Sequence, residues 1–250
     1  MKKTALITGA TSGIGKATAQ IFAEKGIRLI LCGRRQERLD NLAVELQKHT
    51  EVYILNFDVR NKIQVFESIK NLSEAFSEID ILVNNAGNAH GLDPIQDGSI
   101  EDWDAMLDIN VKGLLYVTKA ILPGMLKRGS GHIINIGSTA GKEVYPNGNV
   151  YCASKHAVEK KNQGMRIDLN GKGIKVAAIN PGMVETEFSE VRFKGDTERA
   201  SKVYQGFTPL KPEDIAEIIW FTVTRPPHVN IADLTVMCLD QASSTIVNKK

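Results

Sequence analysis

Short apolar runs alternate with longer segments of helical period along almost all of the 250-residue chain, and this constrains the fold more than any other feature. Thr4–Thr8, Arg28–Cys32, Val52–Phe57, Asp80–Asn84, Gly131–Ile136 and Lys175–Ile179 read as strands, and Ile231–Leu239 as the last one. Gln36–Lys48 places Leu39, Leu42, Ala43 and Leu46 on one helical face, and Ile63–Phe76 reads as another helix. Runs such as Ile79–Val83 are apolar without alternation, as expected of strands buried on both faces. Strand–helix alternation of this kind implies a parallel sheet with right-handed crossovers and helices on both faces. The expectation is one α/β, doubly wound domain over residues 1–250, with no linker or repeat. Glu185–Pro212 interrupts the pattern: it is polar, carries Arg192, Lys194, Arg199 and Lys202, and is placed to act as a substrate lid.

Composition excludes several classes. A net charge of +2 with no basic block beyond Lys249-Lys250 argues against a nucleic-acid partner. No apolar run approaches the roughly 20 residues of a membrane span, and the apolar run after the first lysines is too short for a signal peptide. Cys32, Cys152 and Cys238 are far apart and read as free thiols, so the expected location is cytoplasmic. The five histidines are scattered and no cysteine pair has ligand spacing, so no metal site is expected.

The turn Thr8-Gly9-Ala10-Thr11-Ser12-Gly13-Ile14-Gly15 joins the first strand to the first helix. Its glycines allow close approach to a pyrophosphate, and the helix start offers free N–H groups and the positive end of a dipole. The second strand ends in Gly33-Arg34-Arg35, where an NAD site would place an acid for the ribose 2′-hydroxyl. Two guanidinium groups suit the 2′-phosphate of NADP(H) instead; otherwise they are a solvated helix start.

Tyr151 and Lys155 stand four residues apart, on one face of a helix. A neighbouring ammonium favours a phenolate, and a base so adjusted can exchange a proton with a carbinol or carbonyl oxygen. Taken alone, this spacing is mostly surface helix. Ser138 adds to it: it ends a strand 13 residues before Tyr151, on the side of a parallel sheet where ligands sit. Asn84-Asn85-Ala86-Gly87 ends another strand, and Asn110 lies in the helical segment after it.

Together Thr8–Gly15, Asn84–Gly87, Asn110, Ser138, Tyr151–Lys155 and Pro181-Gly182 resemble the short-chain dehydrogenase/reductase family, in order and at family spacing. The resemblance implies a Rossmann-type, seven-stranded, mainly parallel sheet and a tetrad of Asn110, Ser138, Tyr151 and Lys155. Ser138 would hold the substrate oxygen and Tyr151 transfer its proton. Lys155 would bind the nicotinamide ribose and lower the tyrosine pKa, and Asn110 would position a relay water. Cofactor contacts would fall on Gly9, Thr11, Ser12, Gly13, Ile14 and Gly15, on Arg34 and Arg35, and on Asp58 and Val59 near the adenine. Asn84, Ala86 and Gly87 would line the cleft with Tyr151 and Lys155, and Pro181, Gly182, Val184 and Thr186 would close over the nicotinamide.

Phe188–Asp196 and Pro226–Ile231 further resemble the subgroup of NADP-dependent 3-hydroxy acid dehydrogenases, which oxidise serine, allo-threonine and similar small molecules at C3. Other carbonyl reduction, of 3-oxoacyl thioesters or simple ketones, is the alternative activity, and a silent NADP(H)-binding regulator the alternative without catalysis. The substrate carboxylate would need a cation, for which the lid offers Arg192 and Lys194, with Arg192 favoured by its planar fork; otherwise both are solvated or make subunit contacts. The family implies a homotetramer built on helices around 104–127 and 151–169. Lys160 and Lys161 depart from the pattern there, with pairing to Asp104 or Asp108 as one way to accommodate them.

Overall fold

The computed structural model describes residues 2–250. Seven strands form one sheet: β1 (Thr4–Thr8), β2 (Arg28–Gly33), β3 (Val52–Asn56), β4 (Ile81–Asn84), β5 (Gly131–Ile136), β6 (Ile174–Pro181) and β7 (Asp233–Val236). Their order is β3-β2-β1-β4-β5-β6-β7, and every adjacent pair is parallel. The helices are α1 (Gly13–Glu24), α2 (Gln36–Leu46), α3 (Lys62–Lys70), α4 (Ile100–Leu107), α5 (Leu114–Arg128), α6 (Asn149–Asp168), α7 (Phe188–Arg192), α8 (Thr197–Lys202) and α9 (Pro212–Val223).

The pleat explains the apolar runs. Ala5 and Ile7 of β1, and Leu29 and Leu31 of β2, pack with Phe22, Ile215 and Ile219 from α1 and α9. Their neighbours Leu6, Ile30 and Cys32 point the other way, onto Val65, Val117, Ile121 and Met125 from α3 and α5. Each of the Val, Leu, Ile, Phe and Met side chains, once buried, contributes about 1.5–3 kcal/mol. Because β2 and β4 flank β1, the chain direction of the crossovers reverses there and opens a crevice at the carboxyl ends of the strands.

Two elements are shorter than their patterns. The helix expected over Ile63–Phe76 ends at Lys70, and a separate turn of 3₁₀ helix, Glu74–Phe76, follows. This break lets Phe76 bury against Tyr53, with ring centroids 5.3 Å apart, and under the Arg28 guanidinium. The last strand spans only Asp233–Val236, because β6 is its sole partner and pairs with it over Ala178–Pro181. Between α4 and α5, Asp108–Gly113 widens into a turn of π-helix. The segment 185–212 carries α7 and α8 between β6 and α9.

Candidate active site

Gly9 and Gly13 shape the first wall of the crevice. Gly9 has φ of +64°, and a Cβ there would come within 3.1 Å of the Ala86 Cα. Gly13 has φ of +51°, and Thr186 covers it closely enough that a Cβ would lie 3.2 Å from the Thr186 methyl. Arg35 reaches back over this turn. Its Nη2 donates to the Thr11 and Ser12 hydroxyls at 2.8 and 3.0 Å, and its Nε to Thr11 at 3.2 Å. Arg34 stands 3.6 Å from Asp58, whose carboxylate also accepts from Arg60 at 2.6 Å. Burial pushes the Asp58 carboxyl up, but the Arg60 hydrogen bonds and the Arg60 and Arg34 charges outweigh it and hold it below the usual range.

Ser138, Tyr151 and Lys155 meet at the opposite wall. Ser138 follows β5 and accepts from the Ala140 N–H at 3.1 Å. Tyr151 and Lys155 project from α6 and are buried. The Lys155 ammonium donates to the Ile136 carbonyl at 3.0 Å, and burial lowers its pKa to about 8. Among the charges acting on the Tyr151 phenol, that of Arg192 lowers its pKa, and the net shift is upward. Burial, with the nearby Tyr145 adding to it, pushes the phenol above its ordinary value, while the Ser138 hydrogen bond and the Arg192 charge oppose that rise. The sequence spacing places Lys155 beside Tyr151, but tertiary structure gives its ammonium a carbonyl to bind.

One cleft of about 510 Å³ is lined by Gly9, Thr11, Ser12, Gly13, Ile14, Arg34, Arg35, Asp58, Val59, Ala86, Gly87, Ser138, Tyr151, Lys155, Pro181, Gly182, Val184, Thr186 and Arg192. Three expected residues stand behind this lining. Gly15 packs against the Gly9 carbonyl. Asn84 is buried beneath the cleft floor and donates to Thr118 and to the Asn135 Oδ1, both at 3.0 Å. Asn85 lines the cleft in its place and donates to the Thr8 carbonyl at 2.9 Å. Asn110 lies in the π-turn: it donates to the Asn88 carbonyl at 2.8 Å and to Ser154 at 3.0 Å, and accepts from the Asn88 N–H at 3.0 Å. Its side chain therefore ties the strand-end loop to α6.

Arg192 reaches the cleft from α7. Its guanidinium carbon lies 5.3 Å from the Tyr151 ring centroid, 5.4 Å from Tyr145 and 5.9 Å from Phe188. Nη2 donates to the Tyr145 hydroxyl at 2.6 Å and Nε to the Gly91 carbonyl at 3.3 Å. Lys194 instead pairs with Asp102 at 2.9 Å. Lys160 and Lys161 do not pair with Asp104 or Asp108. Asp108 is taken by Lys112, Lys160 lies 3.8 Å from Glu159, and Lys161 donates to the Val111 carbonyl of the π-turn at 3.0 Å. The same carbonyl also accepts from the Leu114 N–H, so Lys161 adds a second donor to it. Tyr145, Glu187, Phe188 and Gln241 also line the cleft. Tyr145 and Gln241 had no sequence signal; Glu187 and Phe188 fall in the expected lid, Phe188 also opening the Phe188–Asp196 resemblance, and Asn85 stands beside Asn84 in its motif.

Several known proteins are similar to this chain over nearly its whole length. The NADP-dependent 3-hydroxy acid dehydrogenase YdfG of Escherichia coli O6:H1 is 49% identical over 95% of each chain. Sulfoacetaldehyde reductase 2 of Chromohalobacter salexigens is 47% identical over 98% of this chain and 97% of its own. The closed form of serine dehydrogenase complexed with NADP+ superposes with a TM-score of 0.93 at 46% identity, covering 99% of both chains. Residues 3–197 match the short chain dehydrogenase family, and with a glycine turn, a strand-end serine and a buried tyrosine–lysine pair around one crevice, the chain belongs to that family.

Proposed function

We propose that this chain is an NADP(H)-dependent oxidoreductase acting at C3 of short 3-hydroxy acids such as serine or allo-threonine. The observation that carries the substrate class is Arg192, held 5.3 Å from the Tyr151 ring in the cleft that also contains Ser138 and Lys155. Its Nε and Nη2 donate to the Gly91 carbonyl and the Tyr145 hydroxyl, which holds the guanidinium in place with N–H donors to spare for an anion. A planar guanidinium matches a carboxylate.

The cleft fits NADP(H). A Cβ at Gly9 would fill the space beside Ala86, as expected where backbone must approach a diphosphate. Arg34 and Arg35, at the end of β2, would take the 2′-phosphate, and Asp58 and Val59 would flank the adenine. Lys155 would bind the nicotinamide ribose, with Pro181, Gly182, Val184 and Thr186 closing over the ring. When bound, the nicotinamide supplies or accepts the hydride. The chain's residues handle the rest. Ser138 holds the substrate oxygen, Tyr151 moves the proton between that oxygen and solvent, and Lys155 supports the charged phenolate. Asn110 fixes the loop and helix that carry them. Residues 185–212 act as a lid that brings Arg192 to the substrate.

A second reading follows from the same cation. A guanidinium accepts a sulfonate as readily as a carboxylate, and the relative from Chromohalobacter salexigens is a sulfoacetaldehyde reductase. Arg192→Leu, assayed on a 3-hydroxy acid, on sulfoacetaldehyde and on a neutral ketone of similar size, tests the assignment. Selective loss on the anions, by about 1.5–3 kcal/mol in kcat/KM, is expected. Equal loss on the neutral ketone would make Arg192 a structural residue of the lid.

A further inference from the structure

The cofactor end of the cleft contains a carboxylate that the reading above leaves unused. Glu187 lies between Thr186, which covers Gly13, and Phe188, whose ring is 5.6 Å from that of Tyr151. Its Oε2 accepts from the Arg35 Nη1 at 2.9 Å, and its Oε1 from the Arg38 Nη1 at 2.6 Å. Arg35 at the same time binds the hydroxyls of Thr11 and Ser12. One guanidinium thus joins the glycine turn to the root of the 185–212 segment. Burial pushes the Glu187 carboxyl up, and hydrogen bonds from Arg35 and Arg38 more than reverse this, leaving it below the usual range and ionised at neutral pH.

We propose that Glu187 is a specificity-determining residue for the cofactor: it competes for Arg35 with the 2′-phosphate of NADP(H) and narrows the preference for NADP(H) over NAD(H). The inference rests on the NADP(H) reading of Arg34 and Arg35. A 2′-phosphate needs the donors that Glu187 now takes, and it brings like charge to the same guanidinium. Either Glu187 gives up Arg35 or the two anions share it, and both cost affinity for the phosphorylated cofactor. Arg38 keeps the carboxylate ionised and close by after Arg35 turns to the phosphate. A cofactor with a free 2′-hydroxyl meets no such penalty, because a carboxylate accepts a hydrogen bond from a hydroxyl. Glu187 therefore penalises one cofactor and is neutral or favourable toward the other.

The test is the dissociation constant of NADPH and of NADH, read from nicotinamide fluorescence without substrate, for the whole chain and its variants. Glu187→Gln should tighten NADPH on the order of fivefold, the size of an exposed charge pair, and leave NADH unchanged or weaker. Glu187→Asp keeps the charge and should stay within about twofold of the parent ratio, a margin well below that charge effect. In an Arg35→Ala background the Glu187→Gln effect should vanish, since the two act on one guanidinium. An unchanged or reduced NADPH preference in Glu187→Gln would overturn the proposal, as would the same shift in Gln and Asp variants. If Arg35→Ala itself leaves the NADH-to-NADPH ratio unchanged, the NADP(H) reading fails. If Arg35→Ala collapses that ratio while Glu187→Gln does not raise it, the role of Glu187 alone fails.

Discussion

Tyr151 sits in surroundings that favour a neutral phenol. Burial raises its pKa, while the Ser138 hydrogen bond and the Arg192 charge pull the other way. Burial also favours the neutral form of Lys155, whose pKa falls to about 8. In the proposed mechanism alcohol oxidation needs the phenolate, so its rate should rise from neutral into alkaline pH and carbonyl reduction should not share that rise. A flat oxidation profile, with chemistry rate-limiting, would remove Tyr151 from the role of base. Tyr151→Phe keeps the ring and loses the proton. Turnover should fall by about 10²–10⁴, the usual contribution of a general acid/base, while NADPH still binds by fluorescence titration. At this scale the sequence was informative where spacing alone sets geometry, as for Tyr151 and Lys155 on one turn of helix. It was silent on the contacts of Tyr145 and Glu187, whose partners Arg192 and Arg35 are distant in sequence.

Among the elements, β5 holds a histidine in an apolar setting. His132 is buried, its Nε2 has no hydrogen-bond partner among the described residues, and burial with the Lys175 and Lys3 charges lowers its pKa from 6.5 to about 3. The folded chain thus holds the neutral ring, whereas the unfolded chain protonates below about 6.5. The stability associated with this site is complete above pH 6.5 and is lost as pH falls toward 3. His132→Leu should flatten the decline of Tm across that interval, measured by calorimetry in matched buffers. A decline as steep as the parent's would assign acid sensitivity to other groups. The π-turn at Asp108–Gly113 is the other decisive element, placing Asn110 against Asn88 and Ser154. No hydrophobic period signals such a turn, because it inserts no change of residue type, only a wider backbone ring.

Across the whole molecule, exposed apolar side chains on α4, α5 and α6, among them Leu107, Leu115, Leu126 and Ile167, lie on the helices on which the family resemblance implies a homotetramer. Lys161 does not oppose this, since it is turned inward onto Val111. The expectation is a tetramer by light scattering at micromolar concentration, and a monomer there would overturn it. No described helix is long and apolar enough to cross a membrane. By itself, the sequence determined the doubly wound sheet, the glycine turn, the paired arginines and the Ser138, Tyr151 and Lys155 triplet. These features are written in local periodicity and short spacings, which the backbone converts directly into faces and ends of elements. Only the tertiary structure decided that Asn84 lies beneath the cleft, that Asn110 ties a loop to α6, and that Lys155 binds the Ile136 carbonyl. It also decided that Glu187 meets Arg35 across 152 residues of chain. Such contacts depend on where separate elements are brought side by side by packing, and no local pattern encodes that distance.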